Sequence, residues 1–208
     1  MLAFDYRRLG ESGGQPRQIV RIGEQLDDWQ AAIHFARTLP GVDPERIAIW
    51  GFSITGGHIF RVAARNPDLA AAIAHSANAD GLAAMRNAMR QWSVVTMSRL
   101  TLLGLWDAIG GLLGRDPILV PLTGPRGMVV SLGTPDAQNG PRALNPGNKY
   151  PDWQQQIAAR SAARVAFYRP GRAASRIQIP LLVLAYDDDG VTPAAPAAQA
   201  ATELRVVR

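Results

Sequence analysis

Apolar positions along the chain fall into two kinds of pattern, short continuous runs and sets with helical spacing. Mostly apolar runs bounded by turn residues predict buried strands, and they occur at residues 2–6, 47–50, 70–75 and 181–186. Residues 24–39 instead carry Leu26, Trp29, Ile33 and Ala36 at helical spacing, and Pro40-Gly41 ends that pattern. Nearly continuous apolar strands that alternate with helices predict an α/β fold with one parallel sheet covered on both faces.

A tight turn follows the second of these runs, in the sequence Gly51-Phe52-Ser53-Ile54-Thr55-Gly56-Gly57. Small residues on both sides let a strand pass directly into a helix, with Ser53 held at the apex in a strained conformation. A hydroxyl there lies above the sheet edge, next to free N–H groups that favour developing negative charge. An ordinary strand-to-helix turn with a capping serine is the alternative. The turn alone leaves both readings open.

The next run ends at the carboxyl edge of the predicted sheet, where ligands bind in open α/β sheets. His75, Ser76, Asn78 and Asp80 follow it and are predicted to form pocket walls. The alternation of strands and helices is then interrupted at residues 81–148, which carry two apolar helical faces and a proline-bearing stretch.

Length and composition limit the possible classes of protein. A chain of 208 residues with 47% hydrophobic and 19% charged residues predicts one globular domain over residues 1–208. Arg99, Asp107 and Arg115 interrupt the most apolar region, and the N-terminus lacks the layout of a signal peptide, so we expect a cytoplasmic protein without membrane contact. The net charge of +5 comes from scattered arginines, which argues against a nucleic-acid partner.

Four stretches together resemble the α/β-hydrolases, in particular bacterial esterases and dienelactone-hydrolase-like proteins. They are AFDYRRLGESGG, LPGVDPERIAIWGFS, the G-x-S turn and the D-G-V-T-P loop at residues 189–193. Thr55 departs from the family signature G-x-S-x-G, and glycine follows one position later at Gly56. The resemblance implies hydrolysis of a carboxylic ester, thioester or amide through an acyl-serine.

The resemblance also assigns roles to individual residues. It makes Ser53 the nucleophile, the Ile54 N–H an oxyanion-hole donor and Asp189 the triad acid, with Asp187 and Asp188 as solvated neighbours. It makes residues 81–148 a lid insertion, whose apolar faces favour a small-molecule acyl substrate with an apolar portion. No phosphate-binding loop or metal-ligand spacing occurs in the sequence, so we expect no cofactor and no metal.

The triad histidine is the residue that the sequence does not supply. The family takes it from the loop after a strand that would start near Leu204, but none of the 3 histidines follows Asp189. His34 is expected at the surface and His58 in the core. His75 is the histidine best placed to approach Ser53, and Asp80 is an alternative acid.

Two functions from different classes therefore stay open. The first is a serine hydrolase, truncated at both ends and impaired because its histidine is absent. The second is a non-catalytic remnant that acts by binding, or by forming a homo-oligomer through an exposed sheet edge.

Overall fold

The computed structural model describes residues 1–204, except for the side chains of residues 141 and 142. Helices and short strands follow one another through this part of the chain. In order they are α1 (Ile22–Thr38), β1 (Ala48–Phe52), α2 (Ile54–Ala63), β2 (Ala71–His75), α3 (Gly81–Gln91), α4 (Val94–Leu112), β3 (Leu119–Pro121), α5 (Gly140–Leu144), β4 (Gln156–Ala158), α6 (Ser161–Ala166), β5 (Leu181–Leu184) and α7 (Ala194–Thr202). Short 3-10 turns lie at Ala137–Asn139, Pro146–Asn148 and Pro170–Arg176.

Three of the four predicted strands form one parallel sheet in the order β1-β2-β5. β1 pairs with β2 from Ala48 opposite Ala71 to Phe52 opposite His75, and β2 pairs with β5 from Ala72 opposite Leu181. The predicted α/β-hydrolase arrangement, a parallel sheet with flanking helices, is confirmed for these strands. Their carboxyl ends lie side by side, and the loops that follow them meet at this edge.

The fourth predicted strand, at residues 2–6, is wrong, because none of its residues joins a sheet in the described part of the chain. Phe4 and Tyr6 pack on the core instead, with the rings of Phe4 and Trp29 5.2 Å apart, whereas Leu2 is exposed. The Tyr6 hydroxyl accepts the indole N–H of Trp29 at 2.7 Å and donates to the Thr55 hydroxyl at 3.1 Å. The apolar pattern of this run thus reflects the packing of side chains and does not predict pairing with a strand.

One face of the sheet is covered, and the other is exposed in the described residues. Ile49, Ala72 and Ala74 share a buried cluster with side chains of α1, α2 and α7. Along β1 the burial alternates, so that Trp50 and Phe52 on the opposite face stay 56% and 41% exposed. Leu182 of β5 is 52% exposed beside them. The expectation of cover on both faces therefore fails for this part of the chain.

A second buried cluster, built mainly from residues after β2, lies beside the turn at Ser53. It contains Val20, Leu100, Val120, Ile157 and Ala159, and Ile54 packs against it. β3 and β4 form an antiparallel pair in this region, so the segment between β2 and β5 continues structurally beyond residue 148. After β3 the chain returns to this cluster through β4 and the short α6. We call residues 81–169 the insert.

A buried ion pair joins the two halves of the insert. Asp107 of α4 is 1% exposed and Arg160 is 7% exposed, with Oδ1 and Nη2 3.0 Å apart. Asp107 also accepts the backbone N–H groups of Ile118 and Arg160, each at 2.8 Å. The carboxylate therefore fixes α4 against both β3 and the start of α6. No helix within residues 1–204 is long and apolar enough to cross a membrane.

Asp107→Ala is expected to lower the free energy of unfolding by about 3–5 kcal/mol, because it leaves the Arg160 charge buried without its partner. Urea denaturation followed by circular dichroism measures the change. Asp116→Ala removes an exposed carboxylate nearby and is the matched control, with a shift within about 0.5 kcal/mol. Equal stability of the two variants would contradict the structural role of the pair.

Candidate active site

Ser53 lies at the apex between β1 and α2 in a conformation that side chains rarely adopt. Its φ is 57° and its ψ is −121°, at the residue before the first residue of α2. The Ser53 N–H donates to the His75 carbonyl at 3.0 Å, and its carbonyl accepts the N–H groups of Gly57 and Asn78, each at 3.0 Å. The Ser53 side chain makes no capping hydrogen bond. The structure thus favours a nucleophile turn over the alternative of a capping serine.

Two glycines allow the close approach that the turn requires. A Cβ on Gly51 would lie 2.6 Å from the Thr55 carbonyl oxygen, and a Cβ on Gly56 would lie 2.7 Å from the His75 carbonyl oxygen. The family signature expects a second glycine at position 55, but here the helix approaches β2 at Gly56. Thr55 is accommodated because its hydroxyl accepts a hydrogen bond from Tyr6.

Ile54 is the first residue of α2, and N–H groups in the first turn of a helix lack an intrahelical acceptor. This end of the helix carries partial positive charge, which favours an oxyanion close to Ser53. The Ile54 side chain is half-buried against Val120 and other members of the second cluster. The predicted oxyanion donor is therefore held in place through its side chain by the insert.

Asp189 lies in the loop after β5, and its carboxylate accepts four hydrogen bonds. Oδ1 accepts the backbone N–H groups of Val191 at 2.9 Å and Thr192 at 2.7 Å. Oδ2 accepts the hydroxyls of Ser76 and Thr192. Partial burial would by itself raise the pKa of Asp189, but the hydrogen bonds outweigh it and hold that pKa below its usual value. Asp187 and Asp188 are exposed, as expected for solvated neighbours.

Residues 75–78 connect the Ser53 turn with the Asp189 loop. The backbone of His75 and Asn78 binds Ser53, while the Ser76 N–H donates to the Leu184 carbonyl at 2.7 Å. Ser76 is 4% exposed and has a φ of 43°, which turns its hydroxyl to Asp189. Sequence reasoning gave Ser76 only as a pocket wall and missed Thr192. A hydroxyl directly after a central strand was the available signal for Ser76.

The chain is similar in sequence and in fold to known proteins. No family model matches the chain. Over 193 residues it is 42% identical to the quorum-quenching protein AidA of Acinetobacter baumannii, and the match covers 92% of this chain and 61% of AidA. A stretch of 56 residues, 27% of this chain and 18% of the relative, is 48% identical to the thiohydrolase aneE of Aspergillus aculeatus.

Among solved structures, the chain is similar to the α/β hydrolase GrgF from Penicillium sp., with a TM-score of 0.72 and 18% identity. That match covers 98% of this chain and 66% of GrgF. The chain has the fold of the α/β-hydrolases. It spans about three fifths of the length of AidA, at 61%.

The imidazole rings of the three histidines of this chain lie away from Ser53 and Asp189 in the described residues. His75 lies on the exposed face of the sheet, where its Nε2 is 2.8 Å from the Tyr186 hydroxyl and its ring packs on Phe52. His75, the histidine that the sequence places best to approach Ser53, thus points its ring elsewhere, because the alternation along β2 turns its side chain to that face. His34 is exposed on α1.

His58 is fully buried beneath the Ser53 turn, where its two ring nitrogens have side-chain partners. Nδ1 lies 3.0 Å from the Tyr168 hydroxyl, and Nε2 lies 2.9 Å from the Gln25 side-chain oxygen. Burial, with a smaller contribution from the Arg61 charge, lowers the pKa of His58 to about 4. His58 is thus a neutral core residue, as the sequence analysis expected.

Asp80 has a structural role in this hydrolase fold, which argues against its use as the acid. Its Oδ1 caps α3 by accepting the N–H groups of Leu82 at 2.9 Å and Ala83 at 3.2 Å. Its Oδ2 forms an ion pair with Arg169, with Nη2 at 2.6 Å. The described residues bring together no set of three His, Asp or Glu side chains that could hold a metal ion.

The free energy of unfolding is expected to fall as the pH is lowered from 6.5 towards 4. Over this range His58 binds a proton in the unfolded chain and stays neutral in the folded one. The His58 contribution is about 3 kcal/mol over this range and is fully present above pH 6.5. Urea unfolding between pH 4 and 7 measures the slope. His58→Gln should flatten the slope, whereas His34→Gln should leave it unchanged. An unchanged slope in His58→Gln would contradict the buried neutral state.

Ser76→Ala is expected to raise the pKa of Asp189, because one of the two hydroxyls that stabilise the ionised form at Oδ2 is lost. Titration of the carboxyl carbon by NMR measures the shift directly. Ser98→Ala, which removes an exposed hydroxyl on α4, is the control. If the pKa of Asp189 stays the same in Ser76→Ala, the hydroxyl does not hold the carboxylate.

Proposed function

We propose that this chain carries the nucleophile and the acid of a serine hydrolase that cleaves a carboxylic ester, a thioester or a similar acyl bond. The observation that supports this most directly is the backbone of Ser53, with φ of 57°, before the free N-terminus of α2. The similarity to a thiohydrolase and to an α/β hydrolase supports the same class of reaction.

In the proposed reaction the Ser53 hydroxyl oxygen attacks the acyl carbon and gives its proton to a base. The carbonyl electrons move to the oxygen, and the Ile54 N–H stabilises that oxyanion. Collapse of the intermediate expels the alcohol or thiol, which takes the proton back from the base. Water then attacks the acyl-serine in the same way and releases the acid.

The base in this proposal is an imidazole oriented by Asp189. The positions of His34, His58 and His75 argue against these three residues in that role, since none of their imidazole rings bonds Ser53 or Asp189 in the described residues. A serine hydroxyl without a base is a weak nucleophile. We therefore propose that residues 1–208 alone turn over acyl substrates at a rate close to background.

We propose that residues 81–148 act as a lid and favour an acyl substrate with an apolar portion. The second cluster supports this, because Leu103 of the insert and Ile54 beside Ser53 pack against the same buried side chains. AidA is named a quorum-quenching protein. By this similarity, a signal molecule of bacterial quorum sensing that contains an acyl bond is the substrate class we propose.

A non-catalytic role in self-association is the second candidate. The exposed face of the sheet favours it, since Trp50, Leu182 and Tyr186 are each more than 50% exposed there. Such a contiguous apolar surface is typical of an interface. A second copy of the chain is the partner in this reading, and its formation does not involve Ser53.

A fluorophosphonate probe tests the hydrolase proposal in the 208-residue chain. Labelling of Ser53 should be slow and should accelerate about tenfold or more when free imidazole is added, because imidazole supplies the base. Ser53→Ala should abolish labelling, and Asp189→Asn should weaken the acceleration. Mass spectrometry of the labelled peptide identifies the site. Absence of labelling at Ser53 with and without imidazole would favour the non-catalytic candidate.

A further inference from the structure

The residue after Asp189 is held on both sides of its backbone by side chains of the insert. The Gly190 N–H donates to Oδ2 of Asp136 at 2.8 Å, and the Gly190 carbonyl accepts the side-chain amide of Asn87 at 2.8 Å. Asn87 lies on α3, and Asp136 precedes the 3-10 turn at Ala137–Asn139. We call Asn87, Asp136 and Gly190 the Gly190 clamp.

Glycine at the centre of this clamp leaves room for the close approach of the Asp136 carboxylate. A Cβ on Gly190 would lie 2.7 Å from Oδ1 of Asp136, so a larger residue would push that carboxylate away. The two clamping side chains are 49 residues apart and come from separate parts of the insert. Both reach the same residue of the loop after β5.

Along the chain, Gly190 of the clamp lies between Asp189 and the two residues whose N–H groups bind its carboxylate. Oδ1 of Asp189 accepts the N–H groups of Val191 and Thr192, and Gly190 separates these residues from Asp189. The orientation of the Gly190 backbone therefore sets the direction of both N–H groups. Movement of α3 away from the loop would remove the Asn87 bond and release that orientation.

We propose that Asn87 and Asp136 are positioning residues through which the insert controls the geometry of Asp189. The inference rests on the proposed function in so far as Asp189 is the triad acid. The contacts themselves do not depend on it. With the insert seated, the loop is fixed with both N–H groups on the carboxylate, and with the insert displaced the loop relaxes. The site is thus complete only when the insert is closed over it.

Amide hydrogen exchange by NMR in the 208-residue chain tests the proposal without any need for catalysis. Asn87→Ala and Asp136→Ala should each speed exchange at residues 190–192 about tenfold, the effect of losing one net hydrogen bond. Asp136→Asn keeps an acceptor oxygen and should stay close to the unchanged protein. Arg90→Ala on α3 and Asp188→Ala in the loop remove exposed charges and are the matched controls.

A second readout separates positioning from local fraying. The carboxyl titration of Asp189 should move upward in Asn87→Ala and in Asp136→Ala, because the two N–H donors lose their alignment. Exchange at the fully buried Phe60 should stay unchanged. A rise at residue 190 alone, with Val191, Thr192 and the titration unaltered, would overturn the proposal. A faster amide exchange at Phe60 as well, in every variant, would also overturn the proposal.

Gly190→Ala tests the clamp at the residue that is held, where the two preceding variants change the side chains that hold it. It should displace Asp136 and speed exchange at residues 191 and 192 to the same extent as Asp136→Ala, and the double variant should add nothing further. Additive effects would overturn the coupling through Asp136. Failure of the Ser53 labelling experiment would leave these exchange results intact, so the two proposals fail separately.

Discussion

The strained backbone of Ser53 is the constraint on which the candidate site depends. A non-glycine residue in this conformation costs about 1–3 kcal/mol and persists only where the surroundings hold it. Here the holding groups are the His75 carbonyl and the Asn78 N–H, which bind Ser53 from the loop after β2. The pairing of β1 with β2 brings these groups into place, and Gly56 lets α2 begin against them. The turn is thus a property of the two strands together.

Beneath the turn, buried polar side chains form two hydrogen-bonded bridges. Tyr6 joins Trp29 to Thr55, and burial raises the pKa of its hydroxyl to about 12, so it remains a proton donor at neutral pH. His58 joins Gln25 to Tyr168 in the same layer. Both bridges tie α2 to segments distant in sequence, which fixes the helix that begins directly after Ser53. They also explain why the histidine nearest to Ser53 in sequence is a core residue.

The sequence predicted what depends on local pattern, namely three parallel strands, the turn at Ser53 and the turn at Asp189. It failed where a long-range contact decided the outcome. The run at residues 2–6 is apolar because it packs on Trp29, and pairing could not be read from that pattern. Asp80 is a helix cap with an Arg169 partner 89 residues away in the chain. The direction of the His75 side chain could have been predicted from the sequence. Strand alternation places it on the same face as Ile73 and on the other face from the core residue Ala74.

The ionised form of Asp189 is stabilised by groups of this chain alone, whichever base takes part in the proposed reaction. A carboxylate offers about four acceptor positions, and all four are used by donors within the described chain. Two are backbone N–H groups with fixed direction, whereas the donors of Ser76 and Thr192 at Oδ2 are hydroxyls that can rotate. Donors at both oxygens lower the pKa of Asp189, and the hydroxyls of Ser76 and Thr192 contribute more than the two N–H groups. In the proposed reaction, the rotatable hydroxyls at the other oxygen would turn aside for an imidazole N–H, while the two N–H groups would keep their bonds to Oδ1.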